Sequence, residues 1–293
     1  MKLLVVEVGA DGLEPAWEEN EQTRLGEGFY AEHRLQPGPL SRTAACVARL
    51  AAKARELGAE SVRVIATSAA REAVNGDELV GAIHQACGLG VEIISGETEA
   101  EWSHAGVRSN PRFRDGRLLV LDVGGGSTEF IVADARRIAF RDSFELGTVR
   151  AHEALRPPSD PTSRDLVRAR EHVRGFLRDA VLPRLRPHLS EPVEMAVGVG
   201  GTTALLALIR HACPRFDRAL VESTLFDEDG LRELTQRLWG LPLARRRELP
   251  GLPPERADVI LTGAVIYESV VHVLGLPALG ISTRGLRYGA LMA

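Results

Sequence analysis

The segment at residues 118–133, LLVLDVGGGSTEFIVA, combines residue types that could bind a phosphate group. Its three consecutive glycines stand between two apolar runs, and glycine lets backbone N–H groups converge on an anion without interference from a Cβ atom. A hydroxyl residue follows and adds a donor. Because a two-residue hairpin turn needs fewer glycines, the pattern predicts a phosphate loop. Its phosphate-binding residues are predicted to be Gly124, Gly125, Gly126 and Ser127.

Carboxylates flank that loop. Asp122 ends the first apolar run, and Glu129 begins the second. A carboxylate at the end of a strand can hold a divalent cation against phosphate oxygens, because Mg²⁺ commonly binds one or two carboxylates together with substrate phosphates. Asp122 is therefore a candidate ligand for Mg²⁺ or another divalent cation.

Two further polar segments each follow a predicted strand: TSAAREAVNG at Thr67–Gly76 and IISGETEA at Ile93–Ala100. By themselves they have ordinary explanations. Ser68 could cap a helix, and Arg71 could be a solvated helix residue. The acidic residues around Glu99 favour a helix N-terminus through the helix dipole.

A third glycine-rich segment, GVGGT at Gly198–Thr202, indicates a strand, a turn and the start of a helix. A helix N-terminus aimed at phosphate would use the N–H groups of its first turn. A tight turn with no ligand explains the same residues equally well. The run Arg245–Arg247 likewise indicates either a solvated face or part of a polyanion groove.

The elements that must position these residues alternate between strand and helix patterns, which predicts an α/β fold with parallel sheets and helical crossovers. Helices are predicted at Ser41–Leu57, Arg164–Leu185, Thr202–His211 and Arg256–Leu274. The principal strands are predicted at Lys2–Val8, Val62–Ala66, Val91–Ile94, Leu118–Val123, Thr128–Ala133, Arg137–Arg141, Val193–Val199 and Leu279–Ser282. The polar segment at residues 108–116 is a candidate domain boundary.

Composition restricts the function classes. The 293 residues carry a net charge of −4, so no global basic field favours nucleic acid or a membrane surface. Three dispersed cysteines form no CxxC pair and predict a reducing, cytoplasmic location rather than disulfides or zinc. The longest apolar stretches have the length of strands, so we expect neither a signal peptide nor a transmembrane helix.

In combination, these motifs resemble the exopolyphosphatase / guanosine pentaphosphate phosphohydrolase (Ppx/GppA) family of the actin-like ATPase superfamily. Further landmarks follow in family order, namely RLGEG at Arg24–Gly28, RADVILTG at Arg256–Gly263 and STRGLRYG at Ser282–Gly289. The resemblance implies two ribonuclease H-like (actin-like ATPase) domains with an interdomain cleft. The first domain would comprise residues 1–117 plus 278–293, and the second residues 118–277.

The resemblance also implies roles for individual residues. Glu99 corresponds to the family's catalytic glutamate, the general base that orients and deprotonates the attacking water. Asp122 and Glu129 would hold Mg²⁺ and the water network. The remaining implied phosphate-binding residues, besides the loop, are Thr67, Ser68, Arg71, Gly200, Gly201 and Thr202.

The implied substrates are inorganic polyphosphate and guanosine pentaphosphate or tetraphosphate. We therefore predict a phosphohydrolase that releases terminal phosphate from polyphosphate, the 5′ γ-phosphate of pppGpp, or both. A small-molecule kinase is a weaker alternative, because the SG-x-x-E-A segment argues against it. The resemblance allows a homodimer, and no residue of the sequence specifies one.

One departure affects the predicted activity. Lys2–Val8 corresponds to the second strand of the first domain, so the family's first strand and first phosphate loop have no counterpart here. A start codon placed too far downstream, a truncated chain and a true loss would each explain this, and we favour the first. A true loss predicts a weak or inactive protein that binds (p)ppGpp or polyphosphate.

Overall fold

The computed structural model describes residues 1–9, 12–29, 32–135 and 137–293. The chain divides into two compact units, Met1–Glu99 and Ala100–Ala293. Helix α4 (Gly96–Arg108) begins in the first and continues into the second. The division into domains 1–117 plus 278–293 and 118–277 stays a prediction.

The described residues of the first unit form two small sheets and, before α4, three helices. Its strands are β1 (Lys2–Gly9), β2 (Gly12–Asn20), β3 (Val64–Ala66) and β4 (Val91–Ile93), and its helices before α4 are α1 (Pro37–Glu56), α2 (Ser68–Arg71) and α3 (Gly76–Cys87). Strands β1 and β2 pair antiparallel, whereas β3 and β4 pair parallel. The carboxyl ends of β3 and β4 therefore meet at one edge, where α2 and α4 begin.

Strand β2 was not expected from the sequence. Its residues, GLEPAWEEN, are mostly polar and include Pro15, and a proline inside a run argues against a strand. The structure accommodates Pro15 because the register shifts between Val5 and Val6, and Val6 faces Pro15. The glycines at positions 9 and 12 predict a turn after β1, and its residues Ala10 and Asp11 lie outside the described residues.

Helices α1 and α3 supply most of the apolar core of the first unit, with contributions from Phe29, Leu35 and Val64. The predicted start of α1 at Ser41 is wrong. The helix begins four residues earlier at Pro37, since proline is favoured in the first turn, where its missing N–H would have no helical partner.

The second unit is built on a six-stranded sheet with the order β7-β6-β5-β8-β10-β9. Its strands are β5 (Leu118–Val123), β6 (Thr128–Ala133), β7 (Ile138–Phe144), β8 (Met195–Val199), β9 (Leu225–Phe226) and β10 (Leu279–Ser282). Its helices after α4 are α5 (Thr148–Leu155), α6 (Ser163–Phe176), α7 (Leu182–Leu185), α8 (Gly201–Arg210), α9 (Arg218–Ser223), α10 (Glu228–Trp239), α11 (Leu243–Arg246), α12 (Ile260–Leu274) and α13 (Leu286–Met292).

Helix α12 lies in the middle of the second unit's core, and its residues from Ile260 to Val271 are buried. The single predicted helix Arg164–Leu185 is in fact α6 and α7 joined by a π-helical turn at Leu177–Val181.

Arg246 is 2% exposed and donates from Nε to the carbonyl of Ala257 at 2.9 Å. Both expectations for the run Arg245–Arg247 are therefore wrong at Arg246, which binds backbone carbonyls in the interior.

Helix α13 packs against α4 through glycines of both segments. A Cβ atom added to Gly106 would overlap the backbone of Gly285, and one added to Gly289 would overlap the carbonyl of Trp102. Arg284, at the start of this contact, donates from Nη1 to the carbonyl of Ser109 at 2.8 Å. The residues around Arg284 thus hold the C-terminal end of α4. Within the described residues, no helix is long and apolar enough to cross a membrane.

Candidate active site

In the second unit, Asp122 and the Gly198–Thr202 turn lie side by side. Strands β5 and β8 are parallel, with Asp122 opposite Val199, so their carboxyl ends lie together. Gly200 has a φ of +90°, a left-handed conformation that favours glycine. A Cβ atom at Gly200 would stand 3.0 Å from Oδ1 of Asp122. The glycine therefore allows both the turn and the close approach of the carboxylate.

The backbone of the predicted phosphate loop is held by the first turn of α5. The N–H of Thr148 donates to the carbonyl of Gly124 at 2.9 Å, and the N–H of Val149 donates to that of Gly125 at 2.8 Å. The guanidinium Nε of Arg150 donates to the carbonyl of Gly126 at 2.8 Å. The N–H groups in the first turn of a helix have no partner within the helix. Here the loop carbonyls provide partners.

This attachment determines the direction in which the loop amides point. The described peptide bonds are trans, and in a trans peptide the C=O and the following N–H point in opposite directions. Because the carbonyls of Gly124, Gly125 and Gly126 turn toward α5, the N–H groups of Gly125, Gly126 and Ser127 turn away from it. Three successive amides turned the same way form a concavity that suits an anion.

Glu129 lies directly across the hairpin from Asp122. It is 1% exposed, and its Oε1 accepts hydrogen bonds from Ser127 Oγ at 2.8 Å and Ser143 Oγ at 2.7 Å. These hydroxyls offset the cost of burying a carboxylate. They also connect Glu129 with the last residue of the phosphate loop.

Tyr267, on α12, lies beneath this group. Its hydroxyl donates to the carbonyl of Val199 at 3.3 Å, at the end of β8. Burial, with a further contribution from the carboxylate of Asp122, raises the pKa of Tyr267 well above its ordinary value. The phenol is therefore neutral and supports the turn as a hydrogen-bond donor.

In the first unit, Arg71 and Glu99 form an ion pair at the carboxyl ends of β3 and β4. Nη1 of Arg71 lies 3.1 Å from Oε2 of Glu99, and the same nitrogen donates to the carbonyl of Ile94 at 2.9 Å. Glu99 is 8% exposed. Ser95 caps α4, because its Oγ accepts from the N–H of Thr98 at 3.1 Å. The capped helix and Arg71 together fix the carboxylate of Glu99.

The other predicted binding residues lie near these two groups. The carbonyl of Thr67 accepts from the N–H of Arg71, and the hydroxyl of Ser68 donates to Glu72 at 2.6 Å. Gly201 is the first residue of α8. Thr202 is buried, and its methyl group would overlap a Cβ atom at Gly263. Thr67, Ser68, Arg71 and Glu99 thus form one group in the first unit, and the remaining predicted site residues form another in the second.

The residues of the second group fit a divalent cation in one limited way. Among the described residues, no cluster of three or more His, Cys, Asp or Glu side chains could hold a metal by itself. Asp122 and Glu129 provide carboxylate oxygens on facing strands. Such a pair matches the way Mg²⁺ is bound when water and substrate phosphate supply the other ligands.

Several residues of this arrangement were missed by sequence reasoning. They are Ser143, Arg150, Tyr267 and Ser103, whose Oγ donates to Oδ2 of Asp122 at 3.0 Å. Each lies outside the glycine-rich motif. Helix α4 carries Ser103, strand β7 carries Ser143, helix α5 carries Arg150 and helix α12 carries Tyr267. A buried hydroxyl or guanidinium in an otherwise apolar helix face is the signal that could have identified some of them.

Comparisons with known proteins identify the family of this chain. The chain belongs to the Ppx/GppA phosphatase family, whose model matches residues 4–293. It is similar to the protein named exopolyphosphatase 2 of Mycobacterium tuberculosis, with 31% identity over 100% of this chain and 94% of that protein. The predicted family is therefore confirmed.

Solved structures give the same result for the fold. A Ppx/GppA family member of Aquifex aeolicus is 25% identical with a TM-score of 0.79, covering 99% of this chain and 92% of that one. A Cytophaga hutchinsonii exopolyphosphatase structure is 23% identical with a TM-score of 0.89, covering 99% and 93%. The predicted α/β class with the actin-like ATPase fold is confirmed.

Proposed function

We propose that this protein is a Mg²⁺-dependent phosphohydrolase that releases terminal phosphate from inorganic polyphosphate, from the 5′ end of pppGpp, or from both. The observation that carries the proposal is the phosphate loop, whose three successive amides are turned away from α5 by carbonyl contacts with that helix. Family membership supports the phosphoanhydride class of bond.

In the proposed reaction, water attacks the terminal phosphorus and the bridging P–O bond breaks. The leaving oxygen stays on the shortened chain. Glu99 accepts the proton of the attacking water, and its ion pair with Arg71 keeps the carboxylate in a fixed orientation. The amides of Gly125, Gly126 and Ser127 would bind the terminal phosphate oxygens.

Asp122 and Glu129 would hold the divalent cation. When bound, Mg²⁺ would neutralise part of the charge on the phosphate oxygens. The chain supplies the carboxylates, their hydrogen-bond partners and the amides, so positioning and charge neutralisation account for most of the catalysis that phosphoryl transfer requires.

Phosphate release from polyphosphate tests the role of Glu99. We expect Glu99→Gln and Glu99→Ala to lower kcat by at least about 100-fold, because general-base catalysis contributes about 10² to 10⁴. Glu97→Gln is a matched control, since Glu97 is an exposed carboxylate in the same first turn of α4. An unchanged rate in Glu99→Ala, with an active wild type, would exclude the general-base role.

The same preparation distinguishes substrates and the alternative function. Phosphate release from pppGpp would connect the protein with the stringent response, and release from polyphosphate alone would assign it to polyphosphate metabolism. Calorimetric binding of ppGpp or polyphosphate with no phosphate release would instead support a non-catalytic binding protein. The dispersed cysteines support a cytoplasmic location for either activity.

A further inference from the structure

Helix α4 presents a buried stripe to the interior of the second unit, and one member of the stripe is polar. Ala100, Ser103 and Val107 are each 0% exposed. Their spacing of three and four residues puts them on one helix face. Ala100 and Val107 pack in an apolar cluster with residues of β5, β6 and β8. A buried hydroxyl among apolar neighbours is costly unless it makes a hydrogen bond.

Ser103 makes that hydrogen bond with the candidate cation ligand. Its Oγ donates to Oδ2 of Asp122 at 3.0 Å. A serine inside a helix commonly bonds instead to the carbonyl four residues earlier. In this structure the hydrogen bond instead joins α4 to Asp122 at the end of β5, so the hydroxyl holds a side chain of the candidate site.

Ser103 holds Oδ2 of Asp122 before any ligand binds. Oδ1 lies on the side of Gly200, where a Cβ atom would stand only 3.0 Å away, so the glycine leaves room for this oxygen. Rotation of the carboxylate away from α4 would break the hydrogen bond with Ser103.

We propose that Ser103 is a positioning residue for Asp122, which orients its carboxylate for the divalent cation. The proposal rests on the proposed function in that it takes Asp122 as a cation ligand. Hydrogen-bond partners of metal-binding carboxylates orient the ligand, and their loss typically costs about 10- to 100-fold in metal affinity or activity.

The test compares three variants of the full chain. Ser103→Ala removes the hydroxyl, and Ser103→Thr keeps it. Ser109→Ala is a matched control, because this hydroxyl at the end of the same helix donates to the carbonyl of Gly106 at 2.7 Å and not to Asp122. Calorimetry with Mg²⁺ measures binding without substrate, and a Mg²⁺ titration of phosphate release measures the concentration at half-maximal rate. Thermal unfolding monitors the fold.

We expect Ser103→Ala to weaken Mg²⁺ binding and to raise the half-maximal Mg²⁺ concentration, each by about 10-fold. Ser103→Thr and Ser109→Ala should stay close to the wild type in both. The positioning role is overturned if Ser103→Ala lowers the melting temperature while its Mg²⁺ dependence stays that of the wild type. It is also overturned if Ser103→Thr loses as much Mg²⁺ affinity as Ser103→Ala.

These outcomes are separable from failure of the proposed function. A wild type that binds Mg²⁺ but releases no phosphate would overturn the hydrolase proposal, and the calorimetric comparison would still decide the role of Ser103. A wild type that binds no Mg²⁺ and whose phosphate release needs no divalent cation would overturn both the Mg²⁺ dependence of the proposed function and the role of Ser103.

Discussion

Arg150 lies behind the phosphate loop and connects it with the surface. Its Nε donates to the carbonyl of Gly126, and its Nη1 pairs with Glu145 at 3.0 Å. The guanidinium therefore helps to direct the amide of Ser127, even though it lies on the side of the loop opposite the proposed phosphate. A hydrogen bond from a charged donor of this kind contributes about 1.5–3 kcal/mol.

We predict that Arg150→Met lowers kcat/KM for polyphosphate by about 10-fold or more, because the peptide that carries the Ser127 amide loses its anchor. Arg164→Met, which removes an exposed guanidinium at the start of α6, should leave kcat/KM near the wild-type value. Steady-state kinetics of the wild type, Arg150→Met and Arg164→Met with polyphosphate measure this difference in kcat/KM. Equal losses in both variants would mean that net positive charge, and not the anchor, matters.

At the same scale, the sequence identified the types of reactive residues better than their contacts. Arg71 was expected either to bind phosphate or to be solvated, and the structure pairs it with Glu99 and the carbonyl of Ile94. This partnership does not follow from spacing, because it depends on the parallel pairing of β3 with β4. The phosphate contact of Arg71 stays a prediction.

Among the elements, the close approach of Gly147 to the phosphate loop has a measurable consequence. Gly147 precedes α5, and a Cβ atom there would overlap the backbone of Gly125 and Gly126. Backbone atoms cannot move aside as a flexible side chain can. We predict that Gly147→Ala destabilises the protein by at least about 1–3 kcal/mol, the usual cost of overpacking.

Gly175 provides the opposite case for comparison. It lies inside α6, and a Cβ atom there would meet nothing within 4 Å. Gly175→Ala should therefore stabilise the protein by about 0.5–1 kcal/mol, because alanine loses less backbone freedom than glycine on folding. Chemical denaturation of both variants measures the difference, and a stabilised Gly147→Ala protein would contradict the packing argument.

The elements around the glycine motif were predictable because their signals are local. Strands β5 and β6 have the predicted bounds. Strand β2 was missed, since its pairing with β1 outweighs a polar sequence that contains Pro15. The π-helical turn after α6 was missed as well, because apolar periodicity does not distinguish it from an ordinary helical turn.

For the molecule as a whole, a net charge of −4 is compatible with a polyanionic substrate. The proposed binding depends on loop amides, a cation and individual arginines instead of a broad positive surface. Composition argues against nucleic acid and a membrane surface as partners, which stays a prediction, whereas the family is indicated only by several motifs in their order along the chain. The hydroxyls and helix contacts that hold those motifs come from distant parts of the sequence, so they required the structure.

The pH dependence of stability should reflect one half-buried histidine, His104. Burial, assisted by the nearby positive charge of Arg108, lowers the pKa of His104 from 6.5 to about 4. Between these values the unfolded chain binds a proton that the folded chain excludes. We predict that the titration of His104 leaves the free energy of unfolding unchanged above pH 6.5 and lowers it increasingly as the pH falls from 6.5 toward 4.

Urea unfolding at pH 7 and pH 5 tests this contribution. The urea concentration at the unfolding midpoint should be lower at pH 5 than at pH 7. This decrease should be smaller in His104→Gln, because glutamine keeps an acceptor for Nε of Arg108 and does not titrate. An identical fall in both proteins would assign the effect to other groups.

The glycine contacts between α4 and α13 also affect how the protein can be shortened or redesigned. Helix α13 buries Tyr288, Gly289 and Ala290, and it packs on the helix that carries Ser103. A variant that stops before residue 286 would expose the face of α4 that packs on α13, and the same helix carries the hydroxyl that donates to Asp122. Mutagenesis libraries and surface-engineering schemes should therefore treat residues 285–290 as part of the scaffold of the candidate site, although none of them belongs to the proposed chemistry.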